Sequence, residues 1–78
     1  MIELTESSWG PHASAGRPLF VQFWAPWSSA CRRLAETAAT LERHFAGKVD
    51  FGRVSVDDHP ALCADLDVRV IPLLMLFL

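Results

Sequence analysis

Leu19-Phe20-Val21-Gln22-Phe23-Trp24 is a nearly continuous apolar run, and Ala25-Pro26-Trp27-Ser28-Ser29-Ala30-Cys31 follows it directly. The run has β-branched and aromatic members and one polar residue, which suits a strand covered on both faces, as in a parallel sheet. Ala25-Pro26-Trp27 ends it. Ser28 is a good N-cap, and Leu34, Ala38, Leu41 and Phe45 then recur at i, i+4, i+7 and i+11. That spacing predicts a helix of about five turns with one apolar stripe. Arg32, Arg33, Glu36, Glu42 and Arg43 fall mostly outward, and Gly47 is placed to close the helix at C′.

Working outward, Val49 to Val56 reads as a second strand, followed by the turn Asp57-Asp58-His59-Pro60. Pro60 at the first helical position opens a short helix through Leu66. Val70-Ile71-Pro72 leads into a final apolar strand. Upstream, Met1 to Thr5 suits a short edge strand. Glu6 to Ala15 is weakly helical and interrupted by Gly10-Pro11, and Gly16-Arg17-Pro18 punctuates the chain. The order strand, helix, strand, short helix, strand is an α/β pattern with a right-handed βαβ unit at its centre. There is no internal repeat, low-complexity tract or linker.

Composition narrows the function classes. The 78 residues are 51% apolar and 21% charged, enough for a packed core and too few charges for a disordered tail. A chain of this size makes at most one domain and buries a little over ~60% of its unfolded surface, so its stability is expected to be marginal. Seven Lys and Arg against nine Asp and Glu give a net charge of −2. No basic stripe exists to neutralise nucleic-acid phosphates or to meet an anionic membrane surface. The longest apolar run, Leu73 to Leu78, is far below the ~20 residues of a membrane-spanning helix. Glu3 and Glu6 stand where a secretory signal would be basic. Cys31 and Cys63 are the only cysteines, too few for a disulfide-stapled secreted domain, and a cytoplasmic location is the expectation.

Phe23-Trp24-Ala25-Pro26-Trp27 before a helix, Val56-Asp57 at a strand end and Val70-Ile71-Pro72-Leu73 before the last strand together resemble the thioredoxin family. The resemblance runs from about Pro18 to Phe77, with a weaker echo from Ile2 to Trp9. It implies a three-layer sandwich around a central mixed sheet, with residues 1–78 forming a single, incomplete domain that lacks the family's C-terminal strand and helix. The departures bear on chemistry. Where thioredoxins carry Trp-Cys-Gly-Pro-Cys, this chain has Trp27-Ser28-Ser29-Ala30-Cys31. Ser28 holds the nucleophile's position, and a serine hydroxyl with no base nearby does not attack sulfur at neutral pH. Cys31 keeps the resolving position, so a dithiol cycle is not expected at this site. The family's buried carboxylate is matched by Gln22, which cannot take a proton. Its neighbouring lysine is matched by Arg53, and its helix-kinking proline by Glu36.

The resemblance implies a protein-binding or chaperone-like module whose groove is formed by Trp27, Ser28, Ser29, Ala30, Cys31, Ile71 and Pro72. It would take protein or peptide segments, without a cofactor. The alternative is a thiol–disulfide oxidoreductase, working as a monothiol through Cys31 or present as a serine variant or shortened chain. Residues 73–78 would form an apolar edge, expected to support homo-oligomerisation or strand exchange. The same residues also suit purely structural roles. Cys31 also fits a buried, inert thiol, Cys63 fits packing, and Ser28 fits an N-cap for the Cys31 N–H worth ~1 kcal/mol. Pro72 matches the family's cis-proline, Trp27 reads as a partner anchor or as packing over the helix start, and Trp24 reads as core. His12, His44 and His59 are scattered, read as solvated, and support no metal site.

Overall fold

Alternation along β2 (Leu19–Trp24) sets the layers of the computed structural model, which describes residues 1–78. Leu19, Val21 and Phe23 point to one face and are at most 1% exposed, while Phe20, Gln22 and Trp24 point to the other. Both edges of β2 are paired. β3 (Asp50–Ser55) runs parallel along one side, from Leu19↔Asp50 to Trp24↔Ser55. β4 (Leu73–Phe77) runs antiparallel along the other, from Leu19↔Phe77 to Phe23↔Leu73. β1 (Ile2–Glu3) pairs parallel with β3, which gives a four-stranded mixed sheet in the order β1-β3-β2-β4.

Three helices flank the sheet. α2 (Ser29–His44) connects β2 to β3 on the face that carries Gln22. α1 (Glu6–Ala13) and α3 (Pro60–Asp65) serve the opposite face. There Leu4, Leu19, Val21, Phe23, Val54, Leu62 and Cys63 form the buried cluster, with Trp9, Leu66, Met75 and Phe77 packed against it. Trp9 meets Phe77 edge to face at 5.1 Å between centroids. The strand–helix order and the mixed sheet agree with the sequence reading.

Local differences have physical reasons. α1 continues through Pro11 to Ala13 rather than breaking at Gly10-Pro11. Pro11 removes only one N–H, and both ends of the helix are secured. A reciprocal Thr5–Ser8 capping box closes the start, and the Ser14 N–H bonds the Gly10 carbonyl at the end. α2 stops at His44 with Phe45 as its C-cap, so it is shorter than the apolar stripe suggests. Gly47 adopts φ +82° beyond the cap rather than at C′, because the Lys48 and Val49 N–H groups both turn back onto the Phe45 carbonyl. Phe45 is 39% exposed, at the rim of a hollow of about 200 Å³ shared with Phe20, Leu41, Val49, Phe51 and Leu76. β1 and β3 are trimmed at both ends relative to the expected ranges, and α3 opens at Pro60 as expected and ends one residue earlier, at Asp65.

Gly52 is where β1 comes closest to β3. A Cβ there would lie 2.6 Å from Leu4 Cδ1 and 3.3 Å from the Ile2 carbonyl oxygen. Leu4 is 1% exposed and has nowhere to move. Gly52→Ala is therefore expected to lower stability by about 1–3 kcal/mol in urea unfolding, by prising Leu4 and β1 from the core.

Candidate functional site

The first turn of α2 is built by Ser28. Its backbone is extended (φ −89°, ψ 112°), and its Oγ accepts the Cys31 N–H at 3.2 Å. This satisfies one of the donors that a helix start leaves free. The Ser28 N–H in turn bonds the Ala25 carbonyl, and the Arg32 guanidinium donates to the Pro26 carbonyl at 2.6 Å. The turn from strand to helix is thus tied on both sides.

Cys31 lies beneath this turn and is 2% exposed, so it is not opened to solvent as the monothiol expectation requires. Gln22, directly under it and equally buried, donates its side-chain amide to the Cys31 carbonyl at 3.4 Å. A carboxylate could not make that bond, because it has no donor. Arg53, the register partner of Gln22, turns away: it forms an ion pair with Glu3 and stacks 4.2 Å from the Trp24 ring centre. Trp24 is half-buried, and its Nε1 is enclosed without a hydrogen-bond partner, so it is a less settled core residue than the sequence suggested. Cys63 is also free, but it sits on α3 in the cluster on the other side of the sheet. Burial pushes the Cys63 thiol up from its ordinary value, and the negative charge of Glu6 adds to the effect.

Trp27 stands out from this surface at 66% exposure, which excludes packing over the helix start. Its Nε1 donates to Asp57 Oδ2 at 2.9 Å, fixing the indole against the end of β3. With Val56, Val68, Arg69, Val70 and Ile71 it lines a groove of about 210 Å³. The Ile71–Pro72 peptide bond in the adjoining loop is cis. Of the residues expected to share one groove, Trp27 and Ile71 come together here. Ser29 instead lines a polar hollow with Arg32, Arg33 and Glu36. Ser28, Ala30, Cys31 and Pro72 line neither, because Cys31 is sealed under the turn and Ser28 faces its own helix start.

Sequence reasoning missed Asp57, Val56, Val68, Arg69 and Val70. Val70, an aliphatic residue 69% exposed one position before Ile71-Pro72, was the signal available for the groove. Two of the three histidines are engaged rather than simply solvated: His59 Nδ1 lies 2.6 Å from Glu6 Oε1, and His12 Nδ1 lies 2.9 Å from the Ser8 carbonyl. His44 is exposed, as expected, with its ring edge-on to Phe45.

The profile of the thioredoxin family matches residues 1–78. The chain belongs to the thioredoxin family. It is 34% identical to an M-type chloroplastic thioredoxin of Zea mays over 78 residues, 99% of this chain and 47% of that protein. A thioredoxin of Haemophilus influenzae is 42% identical over 59 residues, 76% of this chain and 55% of that protein. Thioredoxin 1 of Nostoc is 35% identical over 60 residues, 77% of this chain and 56% of that protein. The chain thus spans about half the length of these relatives. Its four-stranded open sheet and three helices agree with the thioredoxin fold as far as β4. No helix is long and apolar enough to cross a membrane.

Ser28→Ala removes the acceptor for the Cys31 N–H. The expected cost is about 1 kcal/mol in urea unfolding, with Ser28→Asp, which restores an acceptor, close to the parent. An unchanged stability of Ser28→Ala would contradict the capping role.

Proposed function

We propose that this thioredoxin-family chain binds extended protein segments in the groove of Trp27, Val56, Val68, Val70 and Ile71, and does not run a dithiol cycle. The observation that carries this reading is the contrast within one motif. Trp27 is exposed and held by Asp57, while Ser28 is engaged as a helix cap and Cys31 is sealed beneath it. An apolar anchor held in place by a hydrogen bond suits contact with a partner. A thiol without access and a hydroxyl without a base suit no attack on a disulfide. The monothiol alternative draws support from the one cysteine kept in the motif, Cys31, which stands in the first turn of α2. Its burial weighs against that alternative. Two free thiols fit a reducing compartment, such as the cytoplasm.

The test is titration with a reduced, unfolded polypeptide, followed by tryptophan fluorescence, alongside a dithiothreitol-driven disulfide reduction assay. Saturable binding, weakened about tenfold or more by Trp27→Ala, with reduction at the uncatalysed rate, is the expected result. Catalytic turnover of the disulfide substrate would overturn the reading.

The free edge of β4 supports a second proposal, pairing with another copy of the chain through residues 73–78. Leu74 is 38% exposed and Leu76 55%, and the strand carries no charge to discourage pairing. Light scattering is expected to give a dimer mass that Leu76→Lys returns to monomer. A monomer at all concentrations would remove this proposal and leave the groove reading standing.

A further inference from the structure

Glu6 is the first residue of α1, and its carboxylate meets the start of α3. His59, the N-cap residue of α3, makes no side-chain capping bond within its own helix. Its imidazole turns instead to Glu6, with Nδ1 2.6 Å from Oε1, across 53 positions of sequence. The Glu6 carboxyl is held below its ordinary range, first by its own backbone N–H, then by His59, with a smaller contribution from the Leu62 N–H of α3. The carboxylate at the start of α1 thus reaches the residue that opens α3.

α1 needs such a tie. None of its residues is fully buried, and its packing rests largely on Trp9 against Phe77. The neighbouring Leu62 and Cys63, by contrast, are 6% exposed and belong to the core. An element with little buried apolar surface opens locally before the rest of a fold does.

We propose that the Glu6–His59 pair is a clasp that holds α1 closed over the α3 face, and that releasing it opens this face while the sheet stays folded. His59 is the titratable group that acts on Glu6, and Glu6 in turn raises the Cys63 thiol. On the neighbouring elements Glu3 is paired with Arg53, His12 is bonded to the Ser8 carbonyl, and β4 carries no charge. A carboxylate whose folded value is depressed stabilises the closed form above its unfolded value, and that contribution is lost as pH falls through the folded one. Acid therefore opens the clasp from the Glu6 side.

Hydrogen exchange of the α1 amides reads the opening directly, and alkylation of Cys63 at fixed neutral pH reports it independently. Cys31, buried on the other side of the sheet, serves as the internal control. His59→Ala releases the clasp while keeping the Glu6 carboxylate that Cys63 meets in the closed form. Glu6→Gln is the companion variant, read by exchange. Both are expected to speed α1 exchange roughly two- to fivefold, and His59→Ala to speed Cys63 labelling by a similar factor, with Cys31 unchanged. Wild-type rates in both variants would overturn the proposal. So would equal acceleration at Cys31 and Cys63, which would mean global rather than local opening.

Discussion

The pairing of β2 on both of its edges is the constraint on which the other elements depend. Parallel registry with β3 demands a crossover, and α2 supplies it; antiparallel registry with β4 places the Ile71–Pro72 loop beside the C-terminal end of β2. The start of α2, the Asp57 turn and the cis peptide loop are thereby gathered at one end of the sheet. Strands that share a parallel pair release their following loops at the same end, where binding sites of open α/β sheets lie. Alternation along β2 then divides the chemistry: Gln22 reaches Cys31 on one face, and Leu19, Val21 and Phe23 build the core shared with Cys63 on the other.

Within that frame the site follows a consistent polar arrangement. Ser28 keeps an acceptor at the helix start, and Gln22 keeps a donor beneath the Cys31 carbonyl. Neither residue is ionisable near neutral pH, so this pocket has no internal charge or proton acceptor to activate a thiol. The one basic residue in register with Gln22, Arg53, is directed to Glu3 and the Trp24 ring instead. The groove beside this turn is mostly apolar, lined by Trp27, Val56, Val68, Val70 and Ile71 together with Arg69, and Asp57 holds the indole in place. Chemistry is withdrawn under the turn and contact surface is presented above it.

Much of this was legible from residues alone, for identifiable reasons. The run Leu19–Trp24 is too apolar for an edge position, Ser28 precedes a clear 3.6-residue period, and Pro60 suits the first turn of a helix; these are local rules that tertiary structure did not override. The Ser28 bond to the Cys31 N–H is local too, and was foreseen. The groove was only half visible, because its walls come from Val56, Val68 and Val70 on separate segments, and no spacing rule links them. Trp27–Asp57 and Glu6–His59 join residues 30 and 53 positions apart, so the histidine looked solitary in sequence. Pro11 and Gly47 misled for the opposite reason: a strong local signal met a capping box in one case and a carbonyl taking two donors in the other.

The most direct measurement is exposure of the native protein to an excess of a small disulfide such as oxidised glutathione, with intact mass and peptide mapping. The account predicts no adduct on Cys31 until denaturant is added, because the thiol has neither access nor an activating partner. A mixed disulfide on Cys31 in the folded state, formed with release of one equivalent of glutathione thiol, would contradict it.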